Sequence, residues 1–143
     1  MKSKIASLLS IAGFIAATFF TSSALAADHK VVIQVSSKDP QTQTIALNVA
    51  SNVQKHYGMD NVTIEIVAFG PGLSILTRKS PQSKRVSSLS QSDIKFSACA
   101  NTMAKIEKKT GNKPKLTEGV AIVPAGAVRL MELQEQGYSY LKP

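Results

Sequence analysis

Short apolar runs rich in β-branched residues alternate with helical segments along most of the chain, and this alternation constrains the fold more than any other feature of the sequence. The first unit is typical: residues 30–36 form a compact apolar run, as expected of a strand that is covered on both faces. Asp39 and Pro40 then favour the start of a helix, which Gly58 can end. Because repeated βα units of this length favour a parallel sheet, we predict a three-layer α/β domain, with about five mainly parallel strands and helices on both faces.

The remaining elements follow the same pattern. Further strands are predicted at residues 62–69, 94–98, 120–123 and 138–141, and further helices at residues 73–78, 84–90, 102–109 and 126–136. Asn101 is the predicted N-cap of the helix at 102–109. Sharp turns are predicted at Gly70-Pro71-Gly72 and at residues 124–126.

The first residues have the pattern of a secretory signal peptide. Two lysines precede an apolar run at residues 5–20, and small residues stand at the cleavage-determining positions within 24–26. We therefore expect residues 1–26 to be a signal peptide and residues 27–143 to form one domain, located in the periplasm or outside the cell. The apolar run is short for a bilayer span of about 20 residues, so we expect no membrane attachment after cleavage.

The charge of the chain is strongly positive, with 17 Lys and Arg against nine Asp and Glu. Because we expect the chain to be exported, we do not expect it to bind nucleic acid. The densest basic stretch, at residues 78–85, also contains no aromatic residue on which a base could stack. We interpret this stretch as a solvated loop or as a rim that attracts anions.

Cys99 is the only cysteine, and it lies where a predicted strand meets a predicted helix. It cannot form a disulfide within its own chain, and a free thiol in an oxidising compartment is a liability unless it is buried, paired with another chain or used. Ligands of parallel α/β sheets collect at the carboxyl ends of the strands, where Cys99 is expected. Candidate ligand-binding residues at the same edge are Gly70, Pro71, Gly72, Asn101 and Gly126. The start of a helix also lowers the pKa of a nearby thiol.

Each of these residues has a purely structural alternative. Cys99 can be a small buried hydrophobe, which is a common role of free cysteine. Asn101 can be a helix cap only, and the glycines can serve turn geometry alone. The sequence has no Ser-His-Asp arrangement, phosphate-binding loop or Cys/His metal cluster, so we expect no cofactor.

Several segments together resemble one family across nearly the whole predicted domain. They are residues 31–35, Val-Ala-Phe-Gly-Pro-Gly at 67–72, Ala-Cys-Ala-Asn-Thr-Met at 98–103, and the tail from 123 to 143. In order and spacing they resemble the DsrE/DsrF-like family, in its exported single-domain branch. This resemblance implies a flavodoxin-like sheet, homotrimers or homohexamers and, for cytoplasmic members, sulfur relay through a persulfide on a cysteine that Cys99 matches.

The function that follows is an exported sulfur carrier or sulfurtransferase-like domain, although whether it turns over as an enzyme stays open. Cys99 would carry a persulfide, or a small sulfur anion would bind near it, with a sulfur donor or acceptor protein as partner. The alternative is a non-catalytic oligomeric module for binding or assembly, in which Cys99 is structural.

A metal site at the mature amino terminus is predicted separately. Cleavage after residue 26 would leave a chain that begins Ala27-Asp28-His29. The free amine, two amide nitrogens and the His29 imidazole can surround Cu(II) or Ni(II) in one plane, which is the geometry those ions prefer. We expect binding but assign it no biological role.

Overall fold

One sheet of five parallel strands organises the molecule, and the computed structural model describes it for residues 29–143. The strands are β1 (His29–Val35), β2 (Val62–Ala68), β3 (Ile94–Cys99), β4 (Val120–Val123) and β5 (Ser139–Leu141). Their order across the sheet is β4-β3-β2-β1-β5, and every neighbouring pair is parallel. The predicted α/β fold with a parallel sheet is confirmed. The predicted signal peptide lies outside the described residues.

Four α-helices connect the strands: α1 (Pro40–Tyr57), α2 (Ser83–Gln91), α3 (Ala100–Thr110) and α4 (Gly126–Glu135). The ends of α1 follow from local chemistry. The Asp39 carboxylate accepts a hydrogen bond from the Thr42 amide at 2.7 Å, and Gly58 ends the helix with a φ of 87°. Short 3-10 helices occupy Met59–Asn61 and Gly70–Leu76, so the helix predicted at 73–78 begins three residues earlier than expected.

The strand order decides which face each helix covers. From β1 to β4 each strand lies beside the previous one, so right-handed crossovers place α1, α2 and α3 on one face. The last connection returns across the sheet to place β5 beside β1, and the same handedness puts α4 on the opposite face. We call these the helix-rich face and the α4 face.

The two faces differ in how much apolar surface they bury. The core of the helix-rich face includes Ile33, Leu47, Ile66 and Phe96, each at most 1% exposed. The α4 face has a smaller apolar cluster, whose buried members are Val32, Val67, Leu130 and Leu133. Within residues 29–143, none of the helices has the length and apolar character needed to cross a membrane.

Candidate functional site

Cys99 lies at the end of β3, next to β4, and the connections that follow these two strands run to opposite faces of the sheet. It is the last residue of β3 and pairs with Val123, the last residue of β4. The chain leaves β3 toward the helix-rich face but leaves β4 toward the α4 face, so the two connections diverge. A crevice between diverging connections at the carboxyl ends of parallel strands is where open α/β sheets bind their ligands. The fold thus places Cys99 at the preferred position for a site.

Two helices begin beside the Cys99 sulfur. Burial raises the pKa of this thiol, since Cys99 is only 5% exposed. The Thr102 hydroxyl and the backbone N–H groups of Gly126, Thr102 and Asn101 favour the thiolate more strongly, so the pKa lies below the ordinary value for cysteine. No amide of α3 forms a hydrogen bond of ordinary geometry with the sulfur. The α3 amides therefore act on the thiol pKa as oriented dipoles.

The structure corrects the prediction that Asn101 caps α3. The helix begins at Ala100, and Cys99 is its N-cap, with the extended φ and ψ of −72° and 115°. Because β3 runs into α3 without an intervening residue, the last strand residue takes the cap position. Asn101 therefore lies in the first turn with its side chain exposed, and its N–H donates to the Pro124 carbonyl at 3.3 Å.

The predicted turn Gly70-Pro71-Gly72 contributes to the Cys99 site through Gly70 alone. The Gly70 amide donates to Thr102 Oγ1 at 2.9 Å, which leaves the Thr102 hydroxyl proton free to point at the sulfur. Gly72 has a structural role instead, because a Cβ there would lie 2.2 Å from the Val35 carbonyl oxygen. Pro71 is exposed and lies one residue from this contact.

Gly126 is the first residue of α4, and its N–H is one of the groups that favour the Cys99 thiolate. A Cβ at this position would lie 2.7 Å from the ring of Phe69. Glycine is therefore required for α4 to start as close to the sheet edge as it does. The structure brings together Cys99, Gly70 and Gly126, with Asn101 contributing only its backbone.

Sequence reasoning missed Thr102, which accepts a hydrogen bond from the Gly70 amide and whose hydroxyl lowers the pKa of Cys99. The signal was present: a hydroxyl three residues after an N-cap is in the first helical turn, where side chains and free amides meet. Had Cys99 been identified as the N-cap, Thr102 would have been predicted to lie near its sulfur.

It also missed a buried ion pair under α4. Glu65, in the middle of β2, is 1% exposed and accepts hydrogen bonds from Arg129 Nε at 2.8 Å and Arg129 Nη2 at 2.7 Å. Ser97 Oγ donates to the same carboxylate at 2.7 Å. Burial opposes the charge of Glu65, but the bonds from Arg129 and Ser97 outweigh it and lower its pKa. A lone glutamate in the apolar run of β2 signals a buried charge that needs a partner.

His29, the predicted copper ligand, is the first described residue and the first residue of β1. Its ring lies 3.9 Å from that of Tyr57. Ala27 and Asp28 lie outside the described residues, so the amino-terminal metal site stays a prediction. Within the described part of the chain, no group of three or more His, Cys, Asp or Glu side chains could hold a metal ion.

The arrangement can stabilise a negative charge on sulfur in a nearly buried position. A thiolate held in this way is a nucleophile toward sulfur atoms, and the chain has no second cysteine that could resolve a sulfur adduct as an intramolecular disulfide. The geometry therefore fits chemistry at a single sulfur atom.

Comparison with known proteins agrees with the fold. The family model of the DsrE/DsrF-like family matches residues 29–143. A protein of unknown function, MTH1491 from Methanobacterium thermoautotrophicum, has a similar structure: the TM-score is 0.73 and the identity 28%, over 81% of this chain and 100% of that chain. The YchN protein from E. coli shares the fold, with a TM-score of 0.64 and 15% identity over 80% of this chain and 99% of that chain. Among curated proteins, none matches significantly. The chain belongs to the DsrE/DsrF-like family.

Proposed function

We propose that this protein is a sulfur carrier that holds a persulfide on Cys99. The observation that carries the proposal is the position of Cys99 as the last residue of β3 and the N-cap of α3, beside the start of α4, where the Thr102 hydroxyl and the Gly126 amide lower the pKa of its thiol. The same groups that favour a thiolate also favour a persulfide anion, because both place a full negative charge on sulfur. Family membership supports a role of the sulfur-relay type.

The transfer needs no external oxidant or reductant. The Cys99 thiolate attacks a sulfane sulfur of a donor such as polysulfide, so that one S–S bond forms while one in the donor breaks. The shortened polysulfide leaves with the electron pair of the broken bond. An acceptor thiolate then attacks the outer sulfur of the persulfide, and the Cys99 thiolate is released.

The low exposure of Cys99 limits which donors can react. Because Cys99 as a residue is only 5% exposed, small anions should reach it more readily than bulky reagents. In the persulfide the outer sulfur lies about 2 Å beyond Sγ, so an acceptor does not need to reach Sγ itself. We therefore expect donors and acceptors to present an unhindered sulfur.

Two measurements on purified protein test the proposal. Alkylation of native protein by iodoacetamide across a pH series should have a midpoint below that of a free cysteine, about 8.5. Incubation with polysulfide should add the mass of one sulfur atom to the intact protein, and Cys99→Ser should abolish the addition. A thiol that reacts only after denaturation would overturn the proposal and leave Cys99 as a packing residue.

Export is part of the proposal and rests on the sequence of residues 1–26. Intact-mass analysis of protein from its native compartment checks cleavage after Ala26. The same spectrum reports any sulfur adduct. An uncleaved chain in the cytoplasm would contradict the periplasmic or secreted location.

We also propose that the chain forms a homo-oligomer, a trimer or hexamer, and this is what the alternative function as an assembly module requires. Three apolar side chains support it: Ile122 on the edge strand β4 and Val128 and Met131 on α4 are each more than half exposed. Light scattering at tens of micromolar should give a trimer or larger, and Met131→Glu should reduce the assembly. A strictly monomeric protein would contradict it. If Cys99 proves unreactive while the oligomer forms, the assembly function is favoured.

A further inference from the structure

A cavity of about 950 Å³ lies between the 3-10 helix at Gly70–Leu76, one side of α3, and the loop at residues 112–115. Six cations line it: Arg78, Lys79, Lys105, Lys109, Lys113 and Lys115. We call this the basic groove. It begins at Gly70 and Thr102, beside the Cys99 site, and runs along α3 away from that edge of the sheet.

Within residues 29–143, the cations of the basic groove have no counterion. No acidic residue is among the described residues that line it. Across residues 29–143 the ion pairs are those of Arg129 with Glu65 and with Glu132, and neither involves the groove. Like charges so close together repel one another, and an external anionic group would relieve that repulsion.

The shape of the basic groove indicates the kind of anion. From Thr102 to Thr110 it follows about 12 Å of α3, at about 1.5 Å per residue. About four extended peptide residues have that length. Pro71, Ile106 and Pro114 give it apolar surface between the cations, so an occupant with both carboxylates and apolar side chains fits both features.

Other occupants fit less well. Among the described residues that line the groove there is no aromatic side chain on which a nucleotide base could stack. A small anion needs convergent donors, whereas these cations come from separate elements, with Lys105 and Lys109 on α3 and Lys113 and Lys115 on the following loop. A second copy of this chain, with a net charge of +8 before any cleavage, is a poor source of anionic groups, and the apolar side chains proposed to join copies, Ile122, Val128 and Met131, do not line the groove.

We propose that the basic groove binds an extended acidic segment of a partner protein, in which carboxylates alternate with apolar residues. In an extended segment the carboxylates lie on one face, toward the lysines, and the apolar side chains lie on the other face, toward Pro71 and Ile106. The proposal goes beyond the sulfur-carrier function and does not require it, so binding should be the same in wild type and in Cys99→Ser.

Fluorescence anisotropy with a labelled decapeptide of alternating Glu and Leu tests the proposal. We expect saturable binding at low ionic strength that weakens as salt is added. Replacing each Glu by Gln, or each Leu by Ser, should weaken binding, because the first change removes the charge and the second the apolar contact. Absence of saturable binding of the Glu-Leu peptide would overturn the proposal.

A matched pair of charge reversals locates the binding. The double variant Lys105→Glu/Lys109→Glu places two acidic groups in the groove and should weaken binding about tenfold or more. The control Lys84→Glu/Lys108→Glu makes the same change in net charge with exposed lysines outside the groove, and should leave most of the affinity. Equal losses in the two variants would show diffuse attraction to a basic protein and overturn the proposal. Tighter binding of a single-stranded oligonucleotide or of anionic vesicles than of the peptide would also overturn it.

Discussion

On the helix-rich face, α1, α2 and α3 cover a continuous apolar core, whereas on the other face α4 alone packs on the sheet above a small apolar cluster. The first face is held by non-directional burial of many side chains. The second is held in addition by a directional contact, the fork of Arg129 on Glu65. Two ways of attaching helices to one sheet are thus present in one small domain.

This difference between the two faces indicates which contacts stabilise the fold and which contacts set the reactivity of Cys99. The larger core contributes most of the apolar burial, so it dominates the free energy of unfolding. Cys99, however, receives one of its stabilising amides from Gly126, and the position of Gly126 depends on how α4 sits on the sheet. We therefore expect changes in the apolar core of the helix-rich face to alter stability, and changes that displace α4 or remove the Thr102 hydroxyl to alter the thiol as well.

The largest effect is expected in the core of the helix-rich face. Phe96 is 1% exposed, and Phe96→Ala removes a large buried ring and leaves a cavity. It should lower the free energy of unfolding by about 4 kcal/mol, measured by denaturant titration. In the fraction that stays folded, the pH midpoint of Cys99 alkylation should match wild type. A shifted midpoint would break the proposed separation between the two faces.

Arg129→Met should affect both properties. It leaves the Glu65 carboxylate buried without its partner, and we expect a loss of about 3 kcal/mol. The pKa of Cys99 should also rise, because α4 is no longer held in register with the sheet and the Gly126 amide loses its alignment. The double variant Glu65→Leu/Arg129→Met should recover most of the stability. If it does not, the pair is not the main directional contact under α4.

The same ion pair predicts a pH dependence. The pKa of Glu65 is lower in the folded protein than in the unfolded chain, where it is about 4.3. Its contribution to stability is therefore complete above that value and is lost as the pH falls through the folded pKa. Urea titrations between neutral and acidic pH should show a steeper loss for wild type than for Glu65→Gln. Parallel curves would contradict the assignment.

Thr102→Val should give the smallest change in stability of these variants. It tests how the Thr102 hydroxyl affects the pKa of the Cys99 thiol. The Gly70 amide loses its acceptor, which costs about 1 kcal/mol. The pKa of Cys99 should rise because the Thr102 hydroxyl no longer favours the thiolate, and alkylation near neutral pH should slow. Thr102→Ser keeps the hydroxyl and is the control that should restore the rate. Equal alkylation rates in the Val and Ser variants would exclude the hydroxyl as the cause.

Much of this fold could be predicted because its signals are local. Apolar runs, Asp39 and Pro40 at the start of α1, and Gly58 at its end act within a few residues, and the observed elements follow them. The position of Cys99 at the strand edge followed from the same alternation. Its role as N-cap did not, because a strand that runs directly into a helix leaves a boundary uncertain by a residue or two.

The partner of Glu65 could not be predicted for a different reason. The lone carboxylate in β2 indicates that a cation is needed, but the chain contains 17 Lys and Arg. Arg129 is 64 residues away, and it meets Glu65 only because the last crossover returns over the opposite face. That choice depends on strand order, which turn residues and periodicity do not encode.

Because β5 pairs with β1, the parts of this fold form in a definite order. Val31 pairs with Ser139, so this contact closes a loop of more than 100 residues, and α4 lies within the last part of it. Contacts between residues so distant in sequence are slow to form. During synthesis, β1 to β3 and their helices emerge before α4, and Cys99 then lacks the amide of Gly126. The thiol of a nascent chain therefore lacks one of the groups that lower its pKa, and its thiolate is fully stabilised only when the C-terminal segment docks.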